Sequence, residues 1–346
     1  MTAVATLKDI TDVEIAPGQT LLRDLRRITR RDRISEAEAK FLVSSYLALQ
    51  KHRVAMGNQA KDLRKRDLPN LTLDTFEGAL QMLEDAMVGV LGQYARSSER
   101  GRWALTITGI GPVIASGLCA LSAPQYCRRP QSLWAYAGLT PERRAKYNRQ
   151  FRLMAYYAGD QMVRQRNAWY RQLYEQRKAR EWLLNIQGAY AEQALARLPH
   201  AKSQGSQAFL SGAVDPEKLL GLMAIGKAPI AANGAINRAI LAATPDPKRA
   251  MLVPMHIDRR ARRWTVKLLL SHFAQVSWES VSGEPWEQPY AISQLGHHDY
   301  IAPPNWPMEK GWKEKNHPVP DLYPELELGP ILRIIRHEPI DIEDLQ

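Results

Sequence analysis

The feature that most constrains this chain is a charge-free run from Ala104 to Cys127, broken by Gly109-Ile110-Gly111-Pro112. Unbroken, a run of this length crosses a bilayer as one helix. The Gly-x-Gly-Pro turn divides it into two pieces of about ten residues, each too short to span. The expectation is two short apolar helices inside a protein core, and no membrane partner. Hydrophobic residues at 45% and charged residues at 24% suit a globular chain with a real core. Two cysteines exclude a disulfide framework or a Cys-rich zinc module and fit a reducing compartment. The opening MTAVATLKDITDVE has no basic segment followed by an apolar one. A secretory signal is therefore not expected, and the expected location is the cytoplasm, at the nucleoid or in a phage-infected cell.

Each position of the turn has a physical role in a helix-hairpin-helix. Gly109 and Gly111 allow positive φ and close approach of backbone to a phosphate. Ile110 plugs the hairpin into the core. Pro112 suits the first helical position, where its missing N–H would have no partner anyway. The amides of Gly111, Val113 and Ile114 then face outward with the helix dipole behind them, an anion site. Ala115 lets the two helices pack closely, and Arg128 and Arg129 follow. Such a unit grips phosphates without reading bases.

The charge is segregated. The formal net charge is +11, but residues 23–66 carry +8, 128–180 carry +10 and 248–267 carry +6, whereas 268–346 carry −8. Three basic windows point to a polyanion, most simply nucleic acid. In the third window Asp258 is a suitable N-cap, and Arg259, Arg260, Arg262 and Arg263 would fill the first turns of a helix running to about Val281, with Lys267 beyond. Cations there oppose the macrodipole by roughly 0.3–1 kcal/mol each, a cost that an anionic ligand would offset. Arg259, Arg262 and Arg263 share one face by i, i+3, i+4 spacing, and Trp264, Leu268 and Leu269 face the core.

The rest of the chain reads as mainly α, with no alternating run long enough for a sheet. Residues 1–98 form a helical N-terminal region. Ser35-Glu36-Ala37-Glu38 is a capping box that opens a helix with Phe41, Leu42, Tyr46 and Leu49 as its apolar stripe. Residues 72–96 are a further helix. Residues 99–198 form the hairpin domain, with a short helix over 131–138 closed by Gly138. Its second half is helical, and Trp169, Tyr170, Tyr174, Trp182 and Tyr190 suit a core stripe better than a stacking surface. Residues 199–250, with five prolines, are a linker or insertion, and 251–284 a basic helix. Nine of the 22 prolines lie between 285 and 330, so 285–346 is read as Pro-rich, extended wrapping rather than a domain, with an acidic tail.

Gly109-Ile110-Gly111-Pro112-Val113, followed by Leu133-Trp134-Ala135-Tyr136-Ala137-Gly138-Leu139-Thr140-Pro141 and by Asn148-Arg149-Gln150-Phe151-Arg152, resembles the C-terminal domain of bacterial insertion-sequence transposases. The group is the one called "IS one-sixteen / one-ten / nine-oh-two", with the pilin-gene invertase among its relatives. The resemblance covers about 99–180. It implies DNA binding in a phage or mobile element. The family's N-terminal RuvC-like nuclease fold, with its acidic metal ligands, has no counterpart in 1–98. Its nucleophilic serine should fall between Glu142 and Tyr147, yet no serine occurs between Ser132 and Ser203.

Other chemistry is sparse. Glu84-Asp85 reads as a solvated pair. His297-His298-Asp299 could join His256 or His272 at a metal only if the fold brought them together. Cys119 reads as core, and Cys127 beside Arg128 as a thiol of lowered pKa. Tyr147 lies among Arg143, Arg144, Lys146, Arg149 and Arg152, which suits a phosphate-contact loop. The expected function is duplex DNA binding without catalysis, cofactor or metal. The alternatives are an active recombinase, transposase or nuclease with a diverged site, and an RNA-binding or scaffold protein. A separate nuclease or recombinase subunit and self-association are compatible with the first reading.

Overall fold

The computed structural model describes residues 34–140, 146–213, 250–286, 300–336 and 338. Every regular element among them is a helix, so the mainly-α class stands. The described residues divide into two compact units. One lies within 1–157, 271–287 and 305–308, and the other within 158–270, 288–304 and 309–346. These bounds differ from breaks at 98, 198, 250 and 284, because two long helices each supply residues to both units.

The first unit opens with α1 (Glu36–Lys65) and α2 (Leu71–Arg96), packed on each other. The capping box at Ser35 forms as expected: the Ser35 hydroxyl accepts from the Glu38 amide, and the Glu38 carboxylate accepts from the Ser35 amide at 2.7 Å. The stripe of α1 is not the expected one. Ala39, Val43, Gly57 and Ala60 are buried, while Phe41 is 72% exposed. Small side chains let the helices approach closely, and a phenyl ring at such a contact would hold them apart. Glu84 corrects a second expectation. It is buried and paired with Arg53 at 2.8 Å, not solvated.

The charge-free run becomes α3 (Glu99–Thr106) and α4 (Pro112–Leu121), separated by the Gly-x-Gly turn. α4 is buried on all sides from Ile114 to Leu121 and packs on α1, α2 and α3. Its last carbonyls lack intrahelical partners. Buried Arg100 answers them, donating to Cys119 O at 3.0 Å and Ser122 O at 2.8 Å. The Ser116 hydroxyl donates to Leu91 O of α2. Gly117 faces Met154 so closely that a Cβ there would lie 2.6 Å from its sulfur. The unit continues through α5 (Pro130–Tyr136) into the first half of α6 (Arg149–Arg164).

The second unit takes the remainder of α6, then α7 (Trp169–Ile186), α8 (Ala191–Leu195), α9 (Gln204–Ser211), most of α10 (Pro254–Ser282) and α11 (Gly329–Arg336). The aromatic stripe of α7 is core, as its spacing suggests: Trp169, Tyr170, Tyr174 and Trp182 are buried. α10 starts at Pro254, four residues before the expected cap, so Asp258 lies inside the helix.

The C-terminal segment departs most from expectation. Between Glu314 and Tyr323 it runs along α7 as a strap. Glu314 accepts from the Trp169 amide, Pro318 O from the Trp169 indole, and Pro320 O from Gln176. It then ends in α11, a helix the composition did not suggest. Leu328, Ile331 and Ile335 join Trp182, Phe209, Leu252 and Ile257 in one cluster. The segment is therefore part of a core and not an appended tail. Ile335→Ala should cost about 2–4 kcal/mol in urea unfolding. A change under about 0.5 kcal/mol would mean that α11 is not part of this core.

Candidate nucleic-acid interface

The hairpin geometry is half that expected. Gly109 has φ +95, a backbone only glycine adopts without strain. The Ile110 amide closes the turn on Ile107 O at 3.0 Å, and both isoleucines are buried. Gly111, by contrast, is an ordinary N-cap with φ −84 and ψ 176, and a Cβ there would meet nothing within 4 Å. Its side-chain space is open. Ala115 donates the first intrahelical bond to Gly111 O, so the preceding amides have no partner in the helix ladder. Ile114 is buried and Val113 half-buried.

The two later motifs are brought together. Gly138, at φ +64, ends the turn after α5. Asn148 caps α6, its side-chain oxygen accepting from the Phe151 amide at 2.9 Å, and its amide nitrogen donates to the Tyr136 hydroxyl at 2.7 Å. Arg152 then reaches back to Gly138 O at 3.5 Å. Its guanidinium lies over the rings of Tyr147 at 4.8 Å and Tyr156 at 5.4 Å. Tyr147, Tyr156, Lys146 and Arg149 are exposed. Among the described residues no carboxylate pairs with Lys146, Arg149 or Arg152. Tyr156 is the member that sequence reading missed; its i+4 spacing from Arg152 was the available signal. Arg128 and Arg129 are exposed, and Arg128 lies 5.8 Å over the Trp278 ring. Arg143 and Arg144 lie outside the described residues, as do His297, His298 and Asp299.

On α10 the basic cluster separates into two sets. Arg262 pairs with Asp258 at 2.6 Å and Asp160 at 2.7 Å, and Arg260 pairs with Glu181 at 2.6 Å. These two are structural ion-pair partners, not the exposed phosphate contacts expected of them. Asp258 is not a cap; it receives Arg262, Lys178 and the Tyr174 hydroxyl. The macrodipole cost assumed for arginines in the first turn falls away, since the dipole acts mainly within that turn. Arg259 and Arg263 remain exposed, with Lys267 half-buried along the same helix. Leu269 is buried, while Trp264 and Leu268 are only half-buried.

Glu181 anchors the internal set. It is fully buried and accepts from Arg260 and from the Tyr190 hydroxyl at 2.8 Å, with Arg177 at 2.6 Å from its other oxygen. Burial pushes its pKa up, but Arg260, Arg177 and Tyr190 outweigh this and hold it below the ordinary value. Lys178 is pushed down to about 8 by burial, with Arg171 and Arg262 adding to the shift and Asp258 opposing it. Cys127 corrects the lowered pKa expected beside Arg128. Burial pushes it up to about 11, against a smaller opposing effect of Arg100. No group of three or more His, Cys, Asp or Glu among the described residues could hold a metal. No helix among them is long and apolar enough to cross a membrane.

No family model matches the chain, and neither a curated protein nor a solved structure is found similar to it.

Glu181→Leu strands Arg260 and Arg177 and should cost about 3–5 kcal/mol. The milder Glu181→Gln isolates the charge. A depressed carboxylate stabilises the fold above its unfolded pKa and loses that contribution as pH falls through the folded value. Wild type should therefore lose urea stability below about pH 4.5 more steeply than Glu181→Gln. Parallel pH profiles would show that the charge of Glu181 is not used.

Proposed function

We propose that this protein binds nucleic acid through its phosphate backbone, with duplex DNA as the principal ligand. The observation that carries the reading is the cluster at the start of α6. Arg152 is held between two exposed tyrosines, and exposed Lys146 and Arg149 flank it without carboxylate partners among the described residues. Cations beside exposed rings suit phosphates and base faces together. An acidic protein partner would call for the cations but not for the rings.

Two further features support it. The α4 N-terminus offers amides beside an open Gly111. Arg259 and Arg263 on α10 also have no carboxylate partner among the described residues. The resemblance to insertion-sequence transposases runs through the first two places. It supports a role in a phage or mobile element, with DNA recombination as its setting. The reading is of a binding protein, not of a transposase, because the serine position of that family is vacant between Glu142 and Tyr147. DNA cleavage would then fall to a separate subunit.

Duplex affinity should fall linearly on a log–log plot against salt, with little change when the sequence is scrambled. Arg149→Ser/Arg152→Ser should weaken binding for all sequences and flatten that slope by about two. Gly111→Val is the sharper test of the hairpin. Its Cβ meets open space, so stability should stay within about 0.5 kcal/mol, while duplex affinity drops several-fold. Unchanged affinity would remove the hairpin from the interface. Absence of salt-sensitive binding in filter titrations would overturn the whole reading.

A further inference from the structure

A second cationic cluster lies in the other compact unit, and two of its members, His256 and Arg197, are not among the cations counted in the basic window. His256 sits in the first turn of α10 and Arg197 follows α8. Arg197 Nη1 lies 2.6 Å from His256 Nε2 and 3.3 Å from Nδ1. A guanidinium has only donors, so the imidazole is the acceptor and is neutral in this arrangement. Arg259, Arg263 and Lys267 continue the ridge along α10 at offsets of three, seven and eleven residues from His256. Those offsets keep them on one side of the helix.

The cluster is one of like charges throughout. Burial holds the pKa of His256 below the ordinary 6.5, and Arg197, Arg259, Arg260 and Arg263 all add to that effect. Among the described residues, Arg260 alone of the four is tied to a carboxylate, Glu181. No carboxylate among the described residues pairs with Arg197, Arg259 or Arg263. Lys267 is lowered in turn, by burial first and then by Arg263. The helix N-terminus contributes further partial positive charge around His256. A cluster this unfavourable by itself gains most from a multivalent anion.

We infer that this ridge binds consecutive phosphodiesters of one nucleic-acid strand and that binding draws a proton from solvent onto His256. The inference rests on the nucleic-acid reading above. Span favours a strand over a lone phosphate. Arg259 to Lys267 covers about 12 Å of helix, the rise of three to four nucleotides at about 3.4 Å each. Proton uptake follows from the geometry. A phosphate seated between Arg197 and His256 supplies the acceptor that Arg197 now finds on the ring. It also offsets the repulsion that, added to burial, keeps the imidazole neutral. The freed nitrogen then takes a proton and donates to the phosphate.

The sign is fixed by linkage. His256 is more basic in the complex than in the free protein, so affinity rises as pH falls through the bound-state pKa and levels off below the free-state one. The test uses the full chain and a fluorescent duplex oligonucleotide at constant low salt, titrated from about pH 8 to about pH 5.5. Wild-type affinity should rise about tenfold, as for a one-unit difference between free and bound His256. His256→Gln should lose most of that rise. Calorimetry in two buffers of different ionisation enthalpy should show proton uptake in wild type and little in the variant. Arg259→Ser/Arg263→Ser, at exposed positions that leave the fold intact, should weaken binding at every pH. A pH profile shared by wild type and His256→Gln, or an undiminished affinity of the arginine double variant, overturns the inference and leaves the nucleic-acid reading standing. No duplex binding by any of the proteins overturns both.

Discussion

The second unit depends on keeping a charged helix buried. α7 carries Arg171, Glu175, Lys178 and Glu181, all buried, alongside Trp169, Tyr170, Tyr174 and Trp182. Isolated charges in such a place would be prohibitive. Arg171 pairs with Glu175 within the helix, and the others are met from neighbouring elements. Glu175 holds Arg171 and Arg336, Glu181 holds Arg260, and Lys178 lies 3.7 Å from Asp258. The packing of α10 and α11 on α7 is therefore also the neutralisation of α7. The strap between Glu314 and Tyr323 adds polar contacts, since Gln176, Arg177 and Arg180 meet Pro320, Leu322 and Tyr323. This requirement sorts the arginines. Those that answer a carboxylate are structural, and the others are not drawn into these pairs.

The first unit solves a smaller version of the problem. α4 is apolar and buried, so its unpaired ends are the difficulty. Arg100 closes the C-terminal end from within, while the N-terminal end is left at the open Gly111 position. One end of the helix is thereby spent on the fold, and the other is left open. The α5–α6 junction is likewise built so that Gly138 and Asn148 fix Arg152 between Tyr147 and Tyr156. An arginine held in place loses less freedom on meeting a phosphate than a mobile one.

Local features were legible in the chain. The capping box at Ser35, the positive φ of Gly109 and Gly138, the burial of Ile110 and the core role of the α7 aromatics follow from spacing within a few residues. Features requiring a distant partner were not. Glu84 reads as solvated until Arg53 is placed beside it, 31 residues earlier. Cys127 reads as activated by Arg128 until burial reverses the shift. The α10 face of Arg259, Arg262 and Arg263 reads as continuous until Asp160, 102 residues away, takes Arg262. Proline content over 285–330 hid α11, because composition reports chain stiffness and not where a short amphipathic segment docks.

The sequence by itself determined that the chain is helical, that the charge-free run must break at Gly109-Ile110-Gly111-Pro112, and that its positive charge is concentrated in windows. Periodicity, turn chemistry and net charge are local or additive, so they need no coordinates. Only the tertiary structure decided which cations remain after the internal carboxylates are satisfied. Arg152, Arg259 and Arg263 stay outside those pairs, whereas Arg100, Arg260 and Arg262 are consumed by the fold. Burial and pairing depend on residues far apart in the chain, and the energy of a charge is set by what surrounds it, not by its position in the sequence.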